Sequence, residues 1–172
     1  MRAFAAGSGY LLRHARFEVR LIYTGFLALV LIGMVTMAAF QFHHVGPTPT
    51  RIAAYYLGGD RGGEMAFGKT FRELVEVTHF HSFIMGIVYL VLAHLFIATA
   101  VAPRAKVTVI VLALVGLTGD LIAPWLIRYA AAGFVYLQLG SWGCEWIGFG
   151  AFIYVPVREM WFSYEREEFP PE

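Results

Sequence analysis

The sequence contains little charge. Asp, Glu, Lys and Arg make up 15% of its 172 residues, whereas a soluble domain carries about a quarter. The net charge is +1, which gives no reason to expect a nucleic-acid partner. A single cysteine, Cys144, leaves no basis for a disulfide framework or a Cys-x-x-Cys redox pair. No nucleophile–base set or phosphate-binding loop is recognisable, which argues against a free-standing enzyme with a soluble substrate.

Apolar residues are abundant instead, at 59% of the chain. Four long runs lack Lys and Arg and almost lack Asp and Glu: 21–40, 77–102, 107–127 and 133–157. Each reaches the roughly 20 residues that a helix needs to cross the hydrocarbon core of a bilayer. We therefore predict an all-α integral membrane protein, a single domain over 1–172 with four transmembrane helices in an antiparallel bundle.

The basic residues suggest an orientation, because short loops rich in Lys and Arg stay on the cytoplasmic side. Four arginines precede the first run, and Arg104 and Lys106 lie between the second and third. The segment 41–76 has as many acidic as basic residues. We expect both termini to be cytoplasmic, 41–76 to form an outer loop with a short helix over 51–57, and the chain to be a multi-pass protein of a bacterial-type inner membrane.

Ionisable residues at membrane depth are costly and are candidate functional residues for that reason. Asp120 and Glu145 qualify, and we expect them to relay protons toward a quinone or to be neutral and hydrogen-bonded. Asp120 has two further alternatives, an ion pair with Arg128 or a capping role at a helix break before Pro124. Trp142 and the nearby Trp146 flank Glu145 and are expected to face lipid, with a pocket as the alternative.

The second run carries histidines at both ends. His79 and His94 are fifteen residues apart, which places them within about 60° of each other on a helix at about 100° per residue. Two histidines at this spacing resemble the bis-histidine b-type cytochromes, which bind haem within a four-helix membrane bundle. The resemblance implies an outer haem b, held by His43 or His44 on one side and by His79 or His81 on the other.

His94 lies about 22 Å along the helix from His79 and has no histidine level with it on another run. We expect it to be neutral, to face the bundle interior, and to bind a partner on another helix or subunit, with a cofactor or pigment metal as one option.

A metal ion is the alternative ligand for the outer histidines. Glu76, His79 and His81 offer carboxylate and imidazole groups that suit a single transition-metal ion. A chlorophyll-type pigment is a further option, and histidines that only hydrogen-bond to backbone carbonyls are the plainest one.

Two functional hypotheses follow from these residues and from the resemblance. The first is a small subunit of a respiratory or photosynthetic electron-transfer complex, with quinone and a c-type cytochrome as partners. The second is an accessory, structural or pigment-binding subunit of a larger membrane complex. In both, the chain contacts the lipid bilayer and other membrane subunits, and a role as a subunit is favoured over that of an independent enzyme.

Overall fold

A computed structural model describes residues 11–60, 63 and 65–163 of the chain. Its helices are α1 (Phe17–Phe40), α2 (Pro49–Leu57), α3 (Phe71–Ile97), α4 (Pro103–Tyr129) and α5 (Val135–Phe162). Short 3-10 turns, Leu12–His14 and Ala132–Phe134, precede α1 and α5, and a π-helical turn, Gln41–Val45, extends α1. Strands β1 (Gly58–Asp60) and β2 (Met65–Phe67) form an antiparallel hairpin with Gly59 opposite Ala66.

Local capping explains where the helices begin. The Thr70 hydroxyl accepts a hydrogen bond from Glu73 N, and the Glu73 carboxylate accepts one from Thr70 N, so α3 starts with a capping box at the end of the polar loop. This start is six residues before the apolar run. Pro103 begins α4 and Pro49 begins α2, as expected for a residue whose missing N–H costs nothing in the first turn. The helix expected over 51–57 is present as α2.

Among the described residues, three helices are long and apolar enough to cross a membrane: Phe17–Val45, Phe71–Ile97 and Pro103–Tyr129. Helix α5 has 28 residues and is equally long but is not among these three helices; it carries Gln138, Ser141 and Glu145 within its length. By length and composition, these three helices are candidate membrane spans.

Helix α5 occupies the centre of the structure and packs along α4, with further contacts to α3 and α1. Phe149 and Phe152 on α5 are almost fully buried and join Leu92 and Phe96 of α3 in the main apolar core. A second, smaller core lies where Ile52 of α2 packs on the ends of α4 and α5.

Hydrogen bonds between segments define the two ends of the structure. At the end that carries residues 46–70, here called the loop end, Arg128 Nε donates to Lys69 O over 2.8 Å. At the other end, called the opposite end, Leu12 N donates to Ala98 O over 2.9 Å and Ala100 N donates to Glu159 Oε2 over 2.6 Å. The loop end is thus covered by α2 and the hairpin, while the opposite end is closed by short turns.

Helix α1 is the least enclosed of the long helices, with 6% of its most apolar window buried, against 22% for α3 and for α4. Apart from the π-helical turn that continues it, its main contacts are with α5. A gap consequently remains between α1 and α3.

Some residues used in the orientation argument lie outside the described residues. These are Arg2, before the first apolar run, and Arg61 and Glu64, in the segment 41–76.

Candidate functional site

Asp120 of α4 forms the centre of a polar cluster. Trp142 Nε1 of α5 donates to Asp120 Oδ1 over 2.8 Å, and Gln138 Nε2, one turn earlier on α5, donates to the same oxygen. Asp120 Oδ2 accepts no hydrogen bond from any residue that the structure describes. One carboxyl oxygen is therefore fixed by α5 and the other is available to a ligand or to water.

The expected alternatives for Asp120 are wrong. Arg128 donates to a backbone carbonyl at the loop end and does not pair with Asp120. Helix α4 continues without a break through Pro124 to Tyr129, so there is no helix end for Asp120 to cap. The expectation that Trp142 faces lipid is also wrong, because its indole N–H donates a hydrogen bond to the half-buried carboxyl group of Asp120 on the neighbouring helix.

Glycines bring α4 and α5 close enough for this cluster. A Cβ added to Gly116 would lie 2.7 Å from Glu145 N, and one added to Gly119 would collide with Ser141 Oγ. A Cβ added to Gly148 would lie 2.7 Å from the Cβ of Ala113. Small residues at a membrane helix contact allow the backbones to approach each other, and here that approach sets the position of Glu145.

Glu145 is half-buried and makes no hydrogen bond or ion pair with any described residue. It lies beside Gly116 and lines a cavity of about 480 Å³, together with Trp146. Its carboxyl group is thus the second acidic group, after Asp120, on the wall of one cavity.

His81 of α3 completes the polar wall. Its Nδ1 lies 3.0 Å from Val77 O, and because a carbonyl oxygen can only accept, Nδ1 carries the proton. In the neutral ring Nε2 is then an acceptor for a hydroxyl or a protonated carboxyl group.

Gln41, in the π-helical turn after α1, was not predicted from the sequence. It is 8% exposed, and its side-chain amide makes no hydrogen bond with a described residue. Buried amides are ordinarily satisfied, so this one, lining the cavity, is a free donor and acceptor.

Two cavities meet at these residues. The larger, of about 480 Å³, runs between α1 and α3 and has a mainly apolar wall. The smaller, of about 310 Å³, extends toward the loop end. Four residues line both: Met37, Gln41, His81 and Asp120. The site therefore has two arms that share one polar junction, and both arms have largely apolar walls; the smaller arm also carries titratable side chains near the loop end.

The loop-end mouth of the smaller cavity is lined by charged and hydroxyl groups. Lys69 Nζ lies 3.0 Å from Glu73 Oε1 and 4.7 Å from the centre of the Tyr55 ring. Burial lowers the pKa of Lys69, but the contacts with Glu73 and Tyr55 outweigh burial and raise it overall. Burial raises the pKa of Tyr56, with a smaller effect from Asp120, so this phenol stays protonated and can donate a hydrogen bond into the cavity.

The predicted histidines do not all reach this site. His81 lines both cavities, whereas His43, His44 and His79 do not belong to either wall. His44 packs against Phe40, and His79 is exposed beside Phe83. Because His79 and His81 are about 200° apart on one helix, they cannot face the same cavity.

The predicted metal ligands are likewise separated. Within the part of the chain that the structure describes, no three His, Cys, Asp or Glu side chains form a group that could hold a metal ion. Glu76 instead accepts a hydrogen bond from Arg72 Nε over 2.8 Å, and His79 points away from His81.

The prediction that His94 faces the bundle interior is wrong. His94 is exposed, and its Nδ1 lies 2.8 Å from Leu90 O of its own helix. The neighbouring Leu92, Ala93, Leu95 and Phe96 form the buried side of α3 at this level. An imidazole that bonds to its own helix requires no partner subunit or cofactor.

The comparison with known protein families agrees with the helical architecture. Residues 46–168 match the Aq_1264_TM family, described as a transmembrane helical domain. The chain belongs to this family. The matched segment contains α2 to α5, and with them His81, Asp120 and Glu145, whereas α1 precedes it. No curated protein and no solved structure matches the chain.

Proposed function

We propose that this chain is a four-crossing inner-membrane subunit of an electron-transfer complex, and that its larger cavity holds a quinone. The observation that carries the proposal is an apolar cavity between α1 and α3 whose wall carries the polar side chains of His81, Asp120, Gln41 and Glu145. A ligand for this site needs an apolar body that dissolves in the bilayer and a head with hydrogen-bonding oxygens. Quinones and quinols combine these two features.

The wall of the larger cavity suits a ligand with an apolar body and a polar head. Phe26, Val30 and Met34 of α1 face Met85 and Val88 of α3 across this cavity. The gap between the two helices lets a flat ring and its isoprenoid tail enter sideways from the membrane, without crossing water.

The polar junction supplies the groups that a quinol head requires. His81 Nε2 and Asp120 Oδ2 are acceptors without partners among the described residues, and the Gln41 amide is both a donor and an acceptor. Oxidation of the quinol breaks two O–H bonds, and the protons pass to these acceptors. The two electrons pass one at a time to a haem protein of a partner subunit, with a c-type cytochrome as the proposed class.

The membrane orientation is part of the same proposal. Helix α5 is the fourth crossing, and its polar residues are tolerated because they face α4 and the cavity. The four crossings then alternate in direction, both termini are cytoplasmic, and the loop end faces outward.

Quinone binding can be measured by the fluorescence of Trp142 and Trp146, which line the cavities. A benzoquinone with a decyl tail, added to the protein in mild detergent, should quench the fluorescence saturably. His81→Ala removes one hydrogen bond of about 1 kcal/mol, so the Kd should rise about fivefold. His79→Ala, two residues away on the outward side, is the matched control and should leave the Kd unchanged.

Quenching that does not saturate, or equal effects of the two substitutions, would reject the quinone site. The chain would then be better regarded as an accessory or structural subunit, which its largely exposed α1 also suits. A b-type haem absorbance band in the purified chain would instead support the bis-histidine hypothesis.

A further inference from the structure

We infer that the smaller cavity is a water-filled proton outlet, which connects Asp120 and the quinone head to the loop end and to that end alone. The inference rests on the proposed quinone site. It adds a direction to the reaction, because protons released at the head leave on one side of the membrane.

The smaller cavity joins the polar junction to the loop end. It begins at His81 and Asp120, passes Tyr56 and Thr78, and reaches Lys69, Glu73 and Glu76 at the start of α3. Its volume of about 310 Å³ has room for several water molecules, since each takes about 30 Å³ in the liquid. A water in a cavity needs two to four polar partners, and the hydroxyl, amide and carboxyl groups along this wall provide them.

The protonatable groups that face this cavity come from four segments. Helix α2 contributes Tyr55 and Tyr56, α3 contributes Glu73, Glu76 and His81, α4 contributes Asp120, and Lys69 precedes α3; Glu145 of α5 joins from the larger cavity. The Tyr56 phenol lies between Asp120 and the mouth, and it makes no side-chain hydrogen bond with a described residue. It is therefore free to bind the water molecules of a proton path.

The route toward the opposite end is closed. Phe149 forms the far wall of the larger cavity and also belongs to the main apolar core, with Phe152, Leu92 and Phe96. These four side chains are 2% exposed or less. The next carboxyl group of α5 is that of Glu159, fourteen residues and about 21 Å beyond Glu145. Because close-packed apolar side chains leave no space for water, a proton at Asp120 has no path in that direction.

The consequence is a vectorial reaction. Each quinol that enters from the lipid gives up two electrons to the haem acceptor of the partner subunit and two protons to the loop side. The electrons and protons of one O–H bond thus leave by different routes, as energy conservation by a membrane redox complex requires.

Accessibility of residue 120 from each side of the membrane tests the outlet. Asp120→Cys is introduced together with Cys144→Ser, so that the chain has one thiol, and the protein is reconstituted into vesicles. A membrane-impermeant, positively charged methanethiosulfonate is then added to the loop side or to the opposite side. We expect the cysteine at position 120 to be labelled from the loop side alone. The control combines Phe149→Cys with Cys144→Ser and retains Asp120, and it should stay unlabelled from both sides. Labelling from the opposite side, or none, would overturn the inference.

A second measurement avoids the loss of the Asp120 hydrogen bonds. In the unaltered protein, a water-soluble carbodiimide with glycine ethyl ester should modify Asp120 or Glu145 from the loop side, as read by mass spectrometry, and should fail from the opposite side. These results are independent of the quinone titration. Saturable quenching without loop-side labelling refutes the outlet but supports the quinone site. Loop-side labelling without saturable quenching refutes the quinone site but supports the outlet.

Discussion

The contact between Gly148 of α5 and Ala113 of α4 offers a sharp test of the packing that positions the site. A Cβ on Gly148 would lie 2.7 Å from the Cβ and 2.8 Å from the Cα of Ala113, closer than real Cβ atoms approach. Ala113 is fully buried and cannot move aside. Gly150, two residues further along α5, has no atom within 4 Å of an added Cβ. The pair of substitutions Gly148→Ala and Gly150→Ala therefore separates packing from backbone effects.

Two opposing terms set the magnitude. Each substitution gains about 1 kcal/mol of helix propensity. At Gly148 the added methyl group must also push two helix backbones apart, and overpacking of this kind costs about 1–3 kcal/mol. We expect Gly148→Ala to be less stable than Gly150→Ala by about 1–3 kcal/mol, while Gly150→Ala should equal or exceed the parent protein in stability.

Reversible unfolding in mixed micelles of mild detergent and dodecyl sulfate, followed by circular dichroism, gives the free energies of unfolding. Adding Ala113→Gly to Gly148→Ala removes the 2.7 Å contact but keeps the one to Cα at 2.8 Å, so stability should recover in part. Equal stability of the two alanine variants would refute the close approach of α4 and α5.

Four further substitutions, one of them a control, test three individual contacts by the same unfolding assay. Trp142→Phe removes the 2.8 Å hydrogen bond to Asp120 and should lower the free energy of unfolding by about 1 kcal/mol. Trp146→Phe, which loses no such bond among the described residues, should leave it unchanged. Similar losses in the two variants would contradict the hydrogen bond between Trp142 and Asp120. Thr70→Ala removes the N-cap of α3 and should cost about 1 kcal/mol, together with faster amide exchange in its first turn; unchanged exchange would count against the cap. His94→Leu should leave stability unchanged because the imidazole bonds only within its own helix, and a large loss would mean that it has a partner elsewhere.

The sequence located the long helices well, because membrane insertion depends on the apolar content of each segment. The run 107–127 matches α4 to within four residues at each end, whereas the run 77–102 is shifted by five to six residues from α3. The start of α3 was placed six residues late because the capping box of Thr70 and Glu73 is polar, and a search for apolar runs excludes polar residues.

The site was predictable only in part. Asp120 and Glu145 stood out as acids in apolar runs, and the structure places both on the wall of one cavity. Gln41 and Gln138 are also polar side chains in or next to apolar segments. Because they are uncharged amides, the criterion of an ionisable group at membrane depth did not include them. The sequence does not distinguish Trp142 from a tryptophan that faces lipid, and only the structure shows that its N–H donates to Asp120.

The histidines show what a one-dimensional pattern leaves open. Spacing fixes which residues share a face of one helix, so His79 and His81, two residues apart, point in different directions. Spacing does not fix which face meets the neighbouring helices. The packing of the helices places His81 inward and leaves His79 and His94 exposed. The glycines of α4 and α5 allow these two helices to approach closely, and Leu92 and Phe96 of α3 fill the remaining core. The sequence by itself thus determined that the chain is a helical membrane protein, since each segment partitions into lipid on its own composition. The tertiary structure alone decided which polar groups meet, since that depends on how three other helices pack around α5.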